Sequence, residues 1–215
     1  MFVIPDDLRS KSIRNPALDS GFAPEGAPRN DETIVAPTRC HRMQTPITFF
    51  FPDDGAIPNN PALPMLVYKT ALDLSGSRDP EAEIEKLFDA HDWGHGGWRN
   101  GVYPFAHYHS MIHEVLGIAR GTAKVRFGGD KGEVLDLAPG DVAVLPAGTG
   151  HQRLSASADL VVIGGYPPTG TYDLCRGDRP ADRDKALATI PKTPLPGSDP
   201  VGGKDGALMS LWRPT

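Results

Sequence analysis

The chain has 215 residues, 39% of them hydrophobic, with 22 basic against 27 acidic side chains and a net charge of −5. That length suits one domain with a substantial core, and the composition is ordinary for a globular protein. The acidic balance leaves no footprint for a phosphate backbone and no apolar run is long enough for a bilayer, so neither nucleic acid nor membrane is an expected partner.

The first 16 residues, MFVIPDDLRSKSIRNP, carry acids and proline where a signal peptide would be apolar, so a cytoplasmic location is expected. Residues 1–44 show no sustained period and read as an irregular or disordered arm. The composition changes near Met43, which makes that residue a candidate native start; an arm packed on a partner subunit is the alternative. Cys40 and Cys175 have neither disulfide-framework nor zinc spacing and are expected as free thiols.

From residue 45 onward a single domain is expected. The runs 47–51 and 63–72 are short, apolar and bounded by turn formers, and read as strands. Ile84, Leu87, Phe88 and His91 then fall at helical spacing behind Asp79 and Pro80, a cap and a first-turn proline, predicting a helix over 79–91. The Gly-rich run WGHGGWRNG reads as the turn that ends it. Strands are predicted at 102–109, 114–120, 123–128, 133–137, 142–146, 151–155 and 159–165, separated by Gly- and Asp-bearing turns. After Pro167 strand character fades, and a short helix over about 180–190 precedes a Pro-rich tail ending on Leu211 and Trp212. The 24 Gly and 22 Pro of the chain suit an all-β protein with many turns.

Five of the seven histidines lie between His91 and His113. His107 and His109 are two apart in a predicted strand, so both imidazoles leave one face with backbones about 7 Å apart, suiting two adjacent ligands of one metal. Glu114 follows a four-residue turn that would fold its carboxylate back beside them as a hairpin. His151 opens a later strand after the turn Ala147-Gly148-Thr149-Gly150. Three imidazoles and one carboxylate suit a first-row divalent transition metal such as Mn, Fe, Ni or Zn rather than magnesium or calcium.

Other residues take their expected places from strand parity. His113 adjoins Glu114 and should face the other way, to a surface or subunit contact, with a direct role at the site as the alternative. His91 is expected to cap the helix and His95 to sit in a solvated loop. Trp93 and Trp98 should pack in the core or line a pocket mouth. Tyr103 and Phe105 share the face of His107 and His109, Leu116 and Ile118 that of Glu114, and Arg153 and Ser155 that of His151. Tyr103 and Arg153 are thus the candidate catalytic or substrate-facing groups: an inward Arg153 would favour an anionic substrate, whereas a rim position would leave it in solvent. Of Tyr68 and Lys69 only one can face inward. Cys175 has no surrounding pattern that would make it a nucleophile.

At these residues the chain resembles the cupin superfamily. Gly101, His107, His109, Glu114 and Gly121 fill the motif G-x5-H-x-H-x4-E-x6-G. Gly140, Pro146, Gly148 and His151 fill G-x5-P-x-G-x2-H-x3-N, with Ser155 in place of Asn. Eighteen residues separate the two motifs. The runs ITFFFPDDGAIPNNPALPMLVYKTAL, FAHYHSMIHEVLGIARGTAKVRFGG, PAGTGHQRL, YDLCRGD and PLPGSDPVGGKDGAL are similar to the YjlB-type cupins, a bacterial family without an established activity. The resemblance implies an all-β jelly-roll barrel (a double-stranded β-helix) over 45–215, one or two peripheral helices, and a metal-binding core at about 101–165. It implies either a small metalloenzyme, oxygenating or isomerising a small organic substrate, with an anionic one among the candidates, or a non-catalytic module in which metal anchors a small ligand. A homodimer is the expected assembly.

Overall fold

The computed structural model describes residues 45–213; the expectations for the N-terminal arm, Met43 and Cys40 fall outside the described residues. Eleven strands and three helices follow in order among them: β1 (Ile47–Phe49), β2 (Met65–Tyr68), α1 (Pro80–Ala90), β3 (His95–Asn100), β4 (His107–Tyr108), β5 (Glu114–Arg120), β6 (Ala123–Phe127), β7 (Glu133–Leu137), β8 (Val142–Leu145), β9 (His151–Ala156), β10 (Val161–Tyr166), β11 (Cys175–Arg176), α2 (Pro180–Thr189) and α3 (Leu208–Leu211). They form two antiparallel sheets, ordered β1-β2-β8-β5-β10-β3 and β11-β4-β9-β6-β7. This two-layer arrangement is the jelly roll expected from the sequence.

The core between the sheets explains the strand patterns. Met65, Val67, Leu116, Ile118, Ala143, Leu145 and Val162 from the first sheet meet Ala123, Val125, Phe127 and Leu137 from the second. The first sheet is covered on its outer face too. There Leu66, Tyr68, Val115, Ala119, Val142, Val144 and Ile163 pack against Ile84 and Phe88 of α1 and against Leu208 and Trp212. Burial on both faces is why β2, β5 and β8 read as nearly unbroken apolar runs. In the second sheet Ile57, Ala186 and Ile190 cover Tyr108 and Cys175 on the outer face, but β6 is open there and alternates: Val125 and Phe127 are buried while Lys124 is exposed and Arg126 half-buried.

Helix α1 starts as its sequence dictates. The Asp79 side chain accepts from the Ala82 N–H at 3.1 Å, and Pro80 occupies a first-turn position. Its apolar stripe lies over Gly117, where an added Cβ would stand 2.7 Å from the Ile84 side chain. The missing side chain sets how closely the helix approaches the sheet.

Four segments differ from expectation. The Gly-rich run after α1 is an edge strand, β3, paired with β10. The strand expected at 102–109 is confined to His107–Tyr108, since Pro104 has no N–H for a ladder. Strand pairing resumes after Pro167, with β11 set against β4. The tail forms a third, single-turn helix at Leu208–Leu211 instead of remaining irregular. No helix among the described residues is long and apolar enough to cross a membrane.

Candidate metal centre

His107 and His151 are register partners across β4 and β9, with ring centroids 3.9 Å apart. His109 lies just past β4, and its carbonyl accepts the Gly148 N–H at 2.7 Å, tying the turn before His151 to the first histidine pair. Glu114 opens β5, in the opposite sheet. The expected hairpin between His109 and Glu114 is therefore a sheet crossing. The carboxylate meets the imidazoles across the interior rather than along a shared ladder.

All four side chains are buried. One ring nitrogen from each of His107, His109 and His151 can be chosen so that all lie within 4.8 Å of one another, a group that could hold a metal ion. Glu114 Oε2 stands 3.5 Å from His109 Nε2 and 3.2 Å from His151 Nε2. The back of each ring is tied to the main chain: His107 Nδ1 to the Phe105 carbonyl at 3.1 Å, His151 Nδ1 to that of Thr149 at 3.2 Å, and His109 Nδ1 to that of Asp173. A carbonyl can only accept, so each Nδ1 carries the proton, and a neutral ring then presents a bare Nε2 to its neighbours. This is the tautomer a metal ligand needs, with the ring orientation set by the protein.

The electrostatics agree with a site built for a cation. Glu114 Oε2 is buried and has no hydrogen-bond partner, an arrangement that costs stability unless something positive is nearby. Burial opposes the Glu114 charge, yet His109 and His151 outweigh it and hold the carboxyl well below its usual range. Burial, reinforced by His151, presses His107 down to about 2 and keeps it neutral. Burial opposes charge on His109 as well, but Glu114 turns the balance upward. The donor set of three nitrogens and one anionic oxygen fits a divalent transition metal.

Sequence reasoning missed three residues around this group. Tyr166 ends β10, one residue beyond the predicted strand, and its hydroxyl donates to Glu114 Oε1 at 3.1 Å. The Tyr172 ring lies 5.0 Å from that of His109. The Asp173 carbonyl holds His109, while its carboxylate accepts the Ser110 N–H at 2.8 Å and the Ser110 hydroxyl at 2.6 Å. The signal for two of them was present, because Tyr172 and Asp173 belong to the run YDLCRGD.

The other candidates divide. Tyr103 is 41% exposed, stacks on Phe105 at 4.8 Å and meets the His107 ring edge-on at 5.1 Å, placing an aromatic rim beside the histidines. Arg153 is half-buried, and its Nε donates to the Val102 carbonyl at 3.0 Å. Ser155 does not share its face. A bulge after Arg153 sets Ser155 opposite Lys124, where it is exposed. Leu116 and Ile118 do face the inner core.

His113 faces away from the centre as parity requires, but it is buried rather than at a surface. It accepts the Ala147 N–H at 3.0 Å, packs on Trp212, and is pushed down to about 4 by burial. Tyr68 lies in the outer cluster bonded to Asp199, while Lys69 is exposed and pairs with Asp141. Neither faces the histidines. His91 caps α1, as expected, and its ring bonds the Pro200 carbonyl at 2.9 Å. His95 is exposed but begins β3. Trp93 is fully buried in the outer cluster, whereas Trp98 packs on the inner core. Burial raises the Cys175 thiol to about 11, which keeps it protonated and unreactive.

No protein-family model matches the chain. Among solved structures, it is similar to acireductone dioxygenase from Bacillus anthracis with a cadmium ion in its active centre, at 17% identity and TM-score 0.33 over 50% of this chain and 83% of that one. RmlC from Streptococcus suis in complex with dTDP-D-xylose is similar at 12% identity and TM-score 0.28, over 78% and 94% of the two chains. The curated YjlB protein of Bacillus subtilis (strain 168), itself uncharacterised, is 42% identical over 165 residues, which span 77% of this chain and 95% of that protein. By that likeness, and by the jelly roll that carries its histidines, this chain belongs to the YjlB family of cupins.

Proposed function

We propose that His107, His109, Glu114 and His151 together hold one divalent transition metal, and that the chain is a small metalloenzyme acting on a small organic substrate by oxygenation or Lewis-acid-assisted isomerisation. The observation that carries the reading is the pairing of three carbonyl-fixed imidazoles with a buried carboxylate oxygen that has no hydrogen-bond partner. A bound metal of this kind supplies Lewis acidity and, where the ion is redox-active, one-electron chemistry.

The chain's own residues would do the rest. The Phe105, Thr149 and Asp173 carbonyls keep the three rings in one tautomer and orientation. Tyr103 and Tyr172, both exposed and each against one histidine ring, form an apolar entrance that suits an organic ligand. Tyr166 adds a buried hydroxyl beside Glu114.

The test is elemental analysis of protein purified without added metal, followed by dioxygen-uptake and isomerisation screens on the loaded protein with small carboxylic acids. A stoichiometric transition metal with turnover supports the enzyme. Metal with tight ligand binding and no turnover favours the binding module, and protein that takes up no transition metal overturns both.

A further inference from the structure

We propose that Tyr166, tethered by Trp98, is a positioning residue that fixes Glu114 as a one-oxygen ligand and so keeps coordination positions open for a small molecule. The inference rests on the metal-binding reading above.

Two oxygens of a carboxylate can both turn to a cation, and here they have different partners. Oε1 accepts from the Tyr166 hydroxyl at 3.1 Å, while Oε2 has none and faces His109 Nε2 and His151 Nε2. The direction of the relay follows from valence. An indole N–H only donates, and Trp98 Nε1 lies 3.1 Å from the Tyr166 hydroxyl oxygen. The tyrosine oxygen therefore accepts from Trp98 and spends its single proton on Glu114.

The fold is shaped to let this happen. The β3–β10 ladder slips between Gly164 and Tyr166, placing Trp98 opposite Gly164. A Cβ on Gly164 would lie 2.0 Å from the Trp98 ring, so the glycine provides the space the indole fills. On the other side, Gly165 pairs with Val115, bringing Tyr166 alongside Glu114. The tyrosine also edges His109 at 6.0 Å and Tyr172 at 5.7 Å, so it touches both the ligand group and the aromatic entrance.

The experiment titrates chelator-stripped, full-length protein with cobalt(II). It follows affinity, and it follows the infrared carboxylate stretches in glutamate-labelled protein. A one-oxygen carboxylate ligand gives widely split stretches; a two-oxygen ligand narrows the splitting. Tyr166→Phe is expected to lower cobalt affinity about 10- to 100-fold and to narrow the splitting as Oε1 is released. Trp98→Phe, which keeps a ring and loses the N–H, should move both readouts less and in the same direction. It serves as the deciding variant if Tyr166→Phe does not fold. A purely structural tyrosine would alter melting temperature and leave the band splitting unmoved. Unchanged affinity and splitting in the folded variants overturn the positioning role while leaving the metal site standing. Failure of the wild type to take up cobalt overturns the reading on which it rests.

Discussion

Glu114 and Asp199 are both carboxylates withdrawn from water, at 3% and 0% exposure, yet their surroundings are opposite. Asp199 is saturated. Oδ1 accepts from the Val201 and Gly202 N–H groups at 2.7 and 3.1 Å, and Oδ2 accepts from Leu208 N–H at 2.9 Å and from the Tyr68 hydroxyl. Burial and the Asp199 charge raise the Tyr68 phenol far above its usual range, so it stays a donor. This carboxylate locks the C-terminal segment onto the outer face of the first sheet. Glu114, in contrast, fills one oxygen and leaves the other facing two imidazoles. A buried polar group that is fully satisfied specifies structure; one left half satisfied among nitrogen donors points to a ligand.

The largest expected difference between the two regions is in metal content. His107→Ala or His151→Ala should strip the metal, because the three remaining donors compete poorly with buffer. Asp199→Ala should leave metal stoichiometry intact in whatever fraction folds. Elemental analysis finding full occupancy in both histidine variants would sink the ligand assignment.

Stability should show the reverse. Asp199→Ala strands the Tyr68 hydroxyl and several main-chain N–H groups, and should cost about 3 kcal/mol or more in urea unfolding with chelator present. Glu114→Gln keeps the shape and removes a buried charge, so its metal-free stability should stay within about 1 kcal/mol of wild type. What it should lose is the gain that wild type shows on adding metal, which comes from binding the native state alone. Equal losses in chelator would mean that Glu114 is as structural as Asp199.

Much of the Glu114 side of this comparison was legible in the sequence, and little of the Asp199 side was. His107, His109, Glu114 and His151 announce themselves through spacing: strand parity groups His107 with His109, and the two spaced motifs add Glu114 and His151, although His151 reaches His107 by a long-range pairing. Even so, the route was misread: Glu114 arrives from the other sheet, and nothing local separates a hairpin from a sheet crossing. Tyr166 escaped because its role depends on the β5–β10 and β3–β10 registers, which are long-range. The Gly-rich strand β3 escaped because its pairing partner, rather than its composition, makes it a strand. Asp199 sits in a Pro- and Gly-rich tail whose local signals say only turn. Its partner Tyr68 is 131 residues away.

Acid should separate the two centres next. In metal-free protein Glu114 holds a proton on His109 above the ordinary imidazole range, while burial keeps His107 neutral down to about 2. Metal uptake must expel the His109 proton and finds none to expel on His107. Affinity should therefore decline as pH falls, beginning above the unperturbed imidazole value of about 6.5. Isothermal titration in buffers of different ionisation enthalpy would count the released protons. A metal affinity flat from pH 7.5 to 5 would argue against histidine ligation.

The smallest expected effect belongs to Arg153, which belongs to neither carboxylate. In register His151 opposes Phe127 and Arg153 opposes Val125, both inner-core residues, and the bulge comes only after Arg153. Strand parity therefore carries Arg153 to the same side as His151. Its Nε is used by the Val102 carbonyl, and no carboxylate among the described residues pairs with it. A guanidinium held by one neutral acceptor retains donors for an anion. If it selects anionic ligands at the centre, Arg153→Met should weaken oxalate or citrate binding by about 1 kcal/mol, or roughly fivefold, as befits a half-exposed charge. Binding of a neutral diol should not change. The comparison requires both proteins to be fully metal-loaded, so that the carboxylates report on Arg153 and not on lost metal. Equal carboxylate affinities in wild type and Arg153→Met would assign the arginine to holding the Val102 loop, and the charge that draws an anion would then have to come from the metal alone.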